Sequence, residues 1–182
     1  MKRTINVLWT GGLDSTCRVA QLSQMANIII QPYYIVDPSR GSIKYEISAM
    51  KNIAAIIRNN TKTTAELKDT ILIKLNDIKG FPEITDSYKI LRNKYLLGSQ
   101  YDFLARFAKQ ENIALEIGLE CSNRSKAYMT IIGESNELLE DKDIDELYVN
   151  TKTASKELNN VFENLRIGKK YGQCPNWKRS SI

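Results

Sequence analysis

The chain opens with a short apolar segment at residues 4–9, which runs directly into Thr10-Gly11-Gly12-Leu13-Asp14-Ser15-Thr16. The apolar segment predicts a buried β-strand that ends at the pair of glycines. Residues 14–25 then carry apolar side chains, Val19 and Leu22 among them, at three-residue spacing, which predicts an α-helix with one apolar face. The sequence therefore opens as a strand, a tight loop and a helix, which is the first unit of an α/β fold.

The loop at residues 10–16 has the composition of a phosphate-binding turn. Two adjacent glycines allow positive φ and let the backbone approach a ligand without a clash from Cβ. The helix that follows offers unpaired N–H groups and the positive end of its dipole, while Thr10, Ser15 and Thr16 add hydroxyls. This cradle predicts a bound polyphosphate, and Asp14 is the candidate ligand for Mg²⁺ because the Walker-type lysine is missing. The alternative is a plain Gly-Gly turn in which Asp14 and Ser15 only cap the helix.

Strands and helices alternate along the rest of the chain. Further strands are predicted at residues 28–36, 71–75, 113–119, 128–133 and 144–149. Further helices are predicted at residues 42–57, 82–95, 99–110 and 158–165. This alternation predicts an α/β fold with a doubly wound, mostly parallel sheet, whose ligand lies beyond the carboxyl ends of the strands. Asp37 directly follows one predicted strand, where it either contacts ribose or metal or forms the turn before Pro38.

The bulk composition indicates one folded domain. Of the 182 residues, 42% are hydrophobic and 26% are charged, which is ordinary for a globular protein. No run reaches the roughly 18 apolar residues of a membrane-spanning helix, and the N-terminus lacks the features of a secretory signal. The net charge of +5 suits an anionic ligand, and its dispersion argues against nucleic acid as a partner. We therefore expect a cytoplasmic protein that has no membrane partner.

Cysteine and histidine usage narrows the chemistry. The three cysteines, Cys17, Cys121 and Cys174, are far apart and form no CxxC pair, so we expect neither a disulfide framework nor a complete zinc site. The chain has no histidine, which excludes a Ser-His nucleophile and most zinc chemistry. Catalysis would have to use carboxylates, hydroxyls, basic side chains, backbone amides and a bound cation.

The loop resembles the SGGxDS signature of the PP-loop ATP pyrophosphatases, with Thr10 in place of the serine. Members of that superfamily bind ATP and release pyrophosphate as they activate a substrate as its adenylate. The resemblance implies an adenine nucleotide alpha-hydrolase-like fold (the HUP, Rossmann-like type), with ATP held by residues 10–16 and Mg²⁺ held by Asp14. It also implies a PP-loop core at residues 1–120, the remainder of the same domain at 121–167 and a basic tail at 168–182.

A second stretch is most similar to the 7-cyano-7-deazaguanine synthases of queuosine biosynthesis. That family has a strand ending in aspartate, a polar loop with arginine and a helix bearing glutamate, and Asp37, Arg40 and Glu46 follow this layout. Gln100 and the residue before it stand where the family has Arg-Asn, ahead of a helix rich in Phe, Leu and Ala. The family's four-cysteine zinc site has only Cys174 as a counterpart here.

The resemblance implies a ligase that adenylates a carboxylate-bearing small molecule, with Asp14 and Ser15 as catalytic residues. Residues 10–16, Asp37 and Gln100 would bind ATP, and Arg40 would bind the substrate. Alternatives on the same loop are a tRNA-thiolating enzyme, an enzyme like phosphoadenosine phosphosulfate reductase, or a non-catalytic nucleotide-binding module. Assembly into a homo-oligomer is left open.

Four further residues carry expectations that a structure can test. We expect Trp9 to pack in the core and Cys17 to be a small core residue rather than a nucleophile. Arg18 either reaches a phosphate or is solvated at the surface. Glu116 is unusual because it falls within a strand that we expect to be covered on both faces.

Overall fold

The computed structural model describes residues 2–168, which form one sheet flanked by helices. Within this range the strands are β1 (Arg3–Leu8), β2 (Ile28–Val36), β3 (Glu66–Leu67), β4 (Ile71–Lys74), β5 (Leu115–Gly118), β6 (Leu138–Asp141), β7 (Glu146–Val149) and β8 (Leu165–Gly168). The helices are α1 (Leu13–Ser23), α2 (Ile43–Arg58), α3 (Pro82–Tyr95), α4 (Gln100–Glu111), α5 (Lys126–Glu134) and α6 (Lys156–Phe162).

The sheet is mostly parallel, as predicted. Its strand order is β3-β2-β1-β5-β8-β7-β6, and β4 pairs with β2 beside β3. All pairings are parallel except those that β7 makes with β6 and β8. The chain runs outward from β1 through β2 and then returns to β5 on the other side of β1. This reversal places a crevice at the carboxyl ends of β1 and β5, in the manner of Rossmann-like folds.

Helices cover both faces of the sheet, and each face has its own apolar core. On one face, side chains of β1 and β2 such as Val7 and Ile30 pack with α1 and α2. On the other, β5 and β8 contribute Leu115 and Ile167 to a core shared with α3, α4, α5 and α6. The second core joins residues from before and after position 120, so both parts of the described chain bury apolar surface together.

Most predicted elements are confirmed, and β2 and α3 match to the residue. The predicted strand at 128–133 is wrong, because this segment lies within α5. The buried residues of α5, Ala127, Thr130 and Ile131, have helical spacing, and the Ser125 hydroxyl caps the helix by accepting from the Tyr128 N–H at 3.3 Å. The short strands β3, β6 and β8 were not predicted.

An acidic segment, residues 137–145, precedes β7 and contains β6, the first strand of a hairpin. Residues of β6 pair antiparallel with β7, from Leu138 opposite Val149 to Asp141 opposite Glu146. Among residues 2–168, no helix combines the length and the apolar character needed to cross a bilayer. Cys174 and residues 169–182 of the predicted tail lie outside the described residues.

A buried ion pair explains the unusual glutamate of β5. Arg18 of α1 donates to both carboxylate oxygens of Glu116, from Nε and from Nη2, each at 2.8 Å. The two side chains are 3% and 1% exposed, and Arg18 Nη2 also donates to the Ile144 carbonyl oxygen at 2.7 Å. The expectation of a solvated Arg18 is therefore wrong, and its guanidinium instead binds Glu116 and the Ile144 carbonyl oxygen. A Cβ at Gly168 of β8 would overlap this pair, so the glycine makes room for it.

Of the two expectations for the first strand and helix, one is confirmed and one is wrong. Trp9 is fully buried, as predicted, and its indole Nε1 donates to Thr16 Oγ1 at 3.1 Å. Cys17 is exposed, so its assignment to the core is wrong. The apolar face of α1 runs through Val19 and Leu22, and Cys17 lies on a different side of that helix.

Replacement of Glu116 by alanine should lower the free energy of unfolding by about 3–5 kcal/mol, because it leaves the Arg18 charge buried without a partner. The control is Asp69→Ala, which breaks the exposed Arg58–Asp69 pair and should cost less than about 1 kcal/mol. Urea denaturation measures both variants. Equal losses in the two variants would contradict the dominant role of the buried pair.

A second buried carboxyl lies near this ion pair. Glu146 of β7 is 6% exposed, and its Oε2 lies 3.9 Å from Arg166 Nε. Burial and, next, the negative charge of Glu116 raise the pKa of Glu146 to about 7, although the charges of Arg166, Arg3 and Arg18 oppose the shift. The folded chain thus holds this proton more tightly than the unfolded chain does.

The pKa of Glu146 therefore predicts a pH-dependent stability. Its contribution is fully present below the unfolded pKa near 4.5 and is lost as pH rises through about 7. A shift of this size corresponds to a loss of about 3 kcal/mol. Glu146→Gln should flatten this dependence when unfolding by urea is measured between pH 5 and pH 8. An unchanged pH profile in that variant would assign the dependence to other groups.

Candidate functional site

A cavity of about 340 Å³ lies where the strand order reverses. Its walls include Leu8, the last residue of β1, Gly118, the last residue of β5, and Ile35 near the end of β2. Small-molecule sites in open α/β sheets occupy this position, and the volume falls within the usual range of ligand pockets. The topology thus places a pocket where the sequence predicts the ligand.

Most of the polar lining was singled out from the sequence. Thr10, Asp14 and Ser15 come from the glycine loop and the first turn of α1, Arg40 from the loop after β2, and Gln100 from the start of α4. These five residues are spread over 91 positions of sequence, and the fold brings them to one cavity. The site therefore combines one cation, one carboxylate, two hydroxyls and an amide.

An apolar wall completes the cavity. It consists of Leu8, Ile35, Phe103 and Leu104. Phe103 and Leu104 belong to the predicted helix at residues 99–110, which is rich in Phe, Leu and Ala, but the sequence assigned none of the four residues to the site. A polar rim above an apolar wall suits a ligand that carries an anionic group on a flat, weakly polar body. The first turns of α1 and α4 both border the cavity, so two positive helix ends face it.

One of the two loop glycines takes the positive φ that the sequence allows, whereas Gly12 has φ of −70°. Gly11 has φ of +71°, and a Cβ there would lie 3.1 Å from the Glu46 carbonyl oxygen and 3.3 Å from Met50 Cγ. Gly12 is the N-cap residue of α1, and Thr16 N–H makes a helical bond to its carbonyl oxygen at 3.0 Å. The loop needs glycine at position 11 for both its backbone conformation and its close contact with α2.

The hydroxyls of the loop are partly engaged within the loop itself. Ser15 Oγ donates to the Gly12 carbonyl oxygen at 3.2 Å and accepts from Thr10 N–H at 3.3 Å. Thr10 Oγ1 lies 3.2 Å from the same Ser15 oxygen, and Thr16 Oγ1 accepts from Trp9. These bonds fix the turn. The N–H groups of the first turn of α1, which have no intrahelical acceptor, are then the donors best suited to an anion.

Five of the predicted nucleotide contacts are not part of the cavity lining: Gly11, Gly12, Leu13, Thr16 and Asp37. The Leu13 side chain is 78% exposed and extends away from the protein interior. Asp37 Oδ1 accepts from the N–H of Ser39 at 3.0 Å and from its Oγ at 2.7 Å. These two hydrogen bonds lower the pKa of Asp37. The structure thus places Asp37 in a turn that shapes the loop carrying Arg40.

Arg40 is held by a network that sequence reasoning did not resolve. Its Nη2 donates to Glu46 Oε1 at 2.6 Å, Ser42 Oγ donates to the same oxygen at 2.7 Å, and Tyr34 OH donates to Glu46 Oε2 at 2.6 Å. Burial and the hydrogen bond to Glu46 raise the pKa of Tyr34 to about 12. The clue in the sequence was Glu46 in the first turn of an amphipathic helix, but spacing alone does not show which donors it meets.

At this site a divalent cation would be held mainly by the phosphates of a bound substrate, because the protein supplies few metal ligands. Within residues 2–168, no three acidic, cysteine or histidine side chains surround one metal position. Mg²⁺ is commonly held by one or two carboxylates together with substrate phosphates and water. Asp14, in the first turn of α1 and at the cavity wall, is placed for such a role.

A groove of about 420 Å³ lies elsewhere, between α2 and β4. Apolar Ile47, Met50, Ala54 and Leu72 contribute to its lining, and the Arg58–Asp69 ion pair lies at its side. Lys51 and Thr70 complete the lining, so this groove also contains polar groups. The cavity beside the glycine loop, unlike the groove, lies at the carboxyl ends of β1 and β5, and this position identifies it as the candidate site.

No protein-family profile, curated protein or solved structure matches the chain.

Replacement of Gly11 by alanine should reduce the free energy of unfolding by about 1–2 kcal/mol, because alanine is strained at positive φ and its Cβ meets α2. The matched control is Gly41→Ala, whose added Cβ meets nothing within 4 Å and should change stability by less than about 0.5 kcal/mol. Both are measured by urea denaturation. If the two variants were equally stable, the close contact between loop and α2 would be refuted.

Proposed function

We propose that the chain is a PP-loop ATP pyrophosphatase with an adenine nucleotide alpha-hydrolase-like fold, similar in function to the 7-cyano-7-deazaguanine synthases. It would adenylate a carboxylate-bearing small molecule and release pyrophosphate. The observation that carries the proposal is the convergence of Thr10, Asp14, Ser15, Arg40 and Gln100 on one cavity at the reversal point of the sheet. The SGGxDS-like loop supports the choice of ATP.

In the proposed reaction, a carboxylate oxygen of the substrate attacks the α-phosphorus of ATP. The bond from that phosphorus to the β-phosphate oxygen breaks, and pyrophosphate leaves with the electron pair. The amides of the first turn of α1 would hold the β- and γ-phosphates and stabilise the charge that builds on them. Arg40 would orient the acid, and holding both reactants together would supply much of the acceleration.

The residues present fit a magnesium ion at Asp14, because one carboxylate with substrate phosphates is a common way of holding that ion. When bound, Mg²⁺ would neutralise phosphate oxygens and assist the departure of pyrophosphate. Gln100 at the start of α4 and the apolar wall would border the base of the nucleotide. The resulting acyl-adenylate would then accept an ammonia-type nucleophile, with loss of AMP.

One observation favours a second candidate, a non-catalytic module that binds a nucleotide. The Ser15 and Thr16 hydroxyls are engaged within the loop and by Trp9, so they add less to a reaction centre than their types suggest. A reductase or thiolase on the same loop would need reactive cysteines. Cys17 is on α1 and Cys121 follows β5, and the lining of the cavity includes neither.

The test is exchange of labelled pyrophosphate into ATP, with Mg²⁺, in the presence and absence of 7-carboxy-7-deazaguanine. Acid-dependent exchange is the expected result. Binding of Mg·ATP without exchange would favour the non-catalytic module, and exchange stimulated only by tRNA would favour the thiolation reading.

Asp14→Asn should reduce exchange by about a hundredfold or more, because it removes the carboxylate from the phosphate end of the cavity. The control is Asp86→Asn, which removes the acid of the exposed Lys89–Asp86 pair on α3 and should retain full exchange. Circular dichroism checks that both variants are folded. Full activity in the Asp14 variant would remove this residue from the mechanism.

A further inference from the structure

The first turn of α2 contacts both Arg40 and the glycine loop through one residue, Glu46. The Glu46 side chain binds Arg40 at one rim, and the Glu46 carbonyl oxygen lies against Gly11 of the glycine loop, 3.1 Å from where a Cβ would be. One residue, Glu46, therefore contacts both the glycine loop and the Arg40 guanidinium. A change at Glu46 would move Arg40 relative to the glycine loop.

The Glu46 carboxylate is itself tightly held. It accepts from Tyr34, Arg40 and Ser42, at distances between 2.6 and 2.7 Å, and its side chain is 18% exposed. Burial acts to raise the pKa of Glu46, but the hydrogen bonds from Ser42 and Tyr34 and the charge of Arg40 outweigh it and lower the pKa. The group is therefore an anion at neutral pH, with both oxygens satisfied by fixed donors.

Arg40 retains donors for a ligand. Its side chain is 48% exposed at the cavity, and of its five N–H donors one goes to Glu46 within the described part of the chain. A free arginine side chain loses considerable rotamer freedom when it binds an anion. An arginine already anchored along one side has lost part of that freedom before the ligand arrives.

We propose that Glu46 is a positioning residue, which holds the Arg40 guanidinium at the cavity rim so that its remaining N–H groups take an anionic group of the substrate. The identity of that substrate rests on the proposed function, but the positioning does not. The anionic group is either a phosphate of the nucleotide or the carboxylate of the acid. Tyr34 and Ser42 support the arrangement by fixing the carboxylate.

Positioning and simple electrostatics predict opposite effects on anion binding when Glu46 is neutralised. Glu46 carries a negative charge beside the cavity, so electrostatics alone predicts that its neutralisation would strengthen anion binding. Positioning predicts the opposite, because an unanchored Arg40 must be ordered by the ligand. Glu46→Gln keeps the size of the side chain and changes the charge, so it tests one prediction against the other.

The chain offers a matched control in Glu134. This residue also accepts from a tyrosine hydroxyl, Tyr95 at 2.8 Å, and from a cation, Lys94 at 2.6 Å. Burial acts to raise the pKa of Glu134, but hydrogen bonds with Lys94, Ser155 and Tyr95 outweigh it and lower the pKa. Glu134 lies at the end of α5, and the lining of the cavity does not include it. Glu134→Gln therefore repeats the chemical change at a carboxylate that also binds a tyrosine and a cation but does not line the cavity.

The first measurement is binding of Mg·ATP by titration calorimetry, together with the KM for 7-carboxy-7-deazaguanine in pyrophosphate exchange. Glu46→Gln should weaken one of the two by about tenfold or more, with kcat changed far less, whereas Glu134→Gln should stay within about twofold of the native chain. A weaker Mg·ATP complex would place Arg40 on a phosphate, and a raised KM for the acid would place it on the carboxylate. Unchanged or tighter binding of both ligands to Glu46→Gln would overturn the proposal.

The second measurement needs no ligand. The Arg40 Nε–Hε signal in a ¹⁵N NMR spectrum, assigned from its absence in Arg40→Lys, should be sharp in the native chain and in Glu134→Gln and broadened in Glu46→Gln. If the native chain bound no Mg·ATP and catalysed no exchange, the proposed function would fail while this signal still decided the positioning. A signal equally sharp in Glu46→Gln would refute it.

Discussion

The ion pair between Arg18 and Glu116 is the interaction on which the candidate site depends. It fixes α1 against β5, and the cavity begins one helical turn away. Asp14 precedes Arg18 by four residues on α1, and Gly118 follows Glu116 by two on β5, so each pair shares a face of its element. A Cβ at Gly118 would lie 4.0 Å from Asp14 Cβ. The buried pair therefore sets how closely the start of α1 approaches the end of β5.

A second contact orients the opposite side of the cavity. There, α2 meets the glycine loop at Gly11 and holds Arg40 through Glu46, so the helix connects the two. The two contacts differ in kind. The Arg18–Glu116 pair is almost fully buried and links α1 to β5, whereas the Arg40–Glu46 pair is half exposed on its arginine side and links α2 to the loop after β2. Exposed ion pairs contribute little to folding stability. The exposed side of Arg40 remains accessible to a ligand.

The sequence predicted the sheet and the loop well, because both depend on local pattern. Glycine at position 11 and the apolar run before it are readable from residue types alone. The partner of Glu116 was not readable, because 98 positions separate it from Arg18. The same limit applied to the apolar wall at Ile35 and Phe103, since periodicity shows that a residue is buried but not what it faces. The strand prediction at residues 128–133 was wrong for another reason. It gave more weight to the β-branched residues of this segment than to the serine cap that precedes it.

The division of labour within the glycine loop narrows what the site can do. The Ser15 hydroxyl bonds to the backbone of its own turn, and the Thr16 hydroxyl accepts from Trp9, so these side chains shape the loop. Under the proposed function, backbone amides, the ends of two helices and Arg40 would therefore recognise the anion. Such groups are already oriented before the ligand binds, and dipoles that need no reorganisation are the ones that stabilise developing charge most effectively. In the reaction that we propose, such groups would stabilise the charge on a leaving polyphosphate, and no protein nucleophile would be needed.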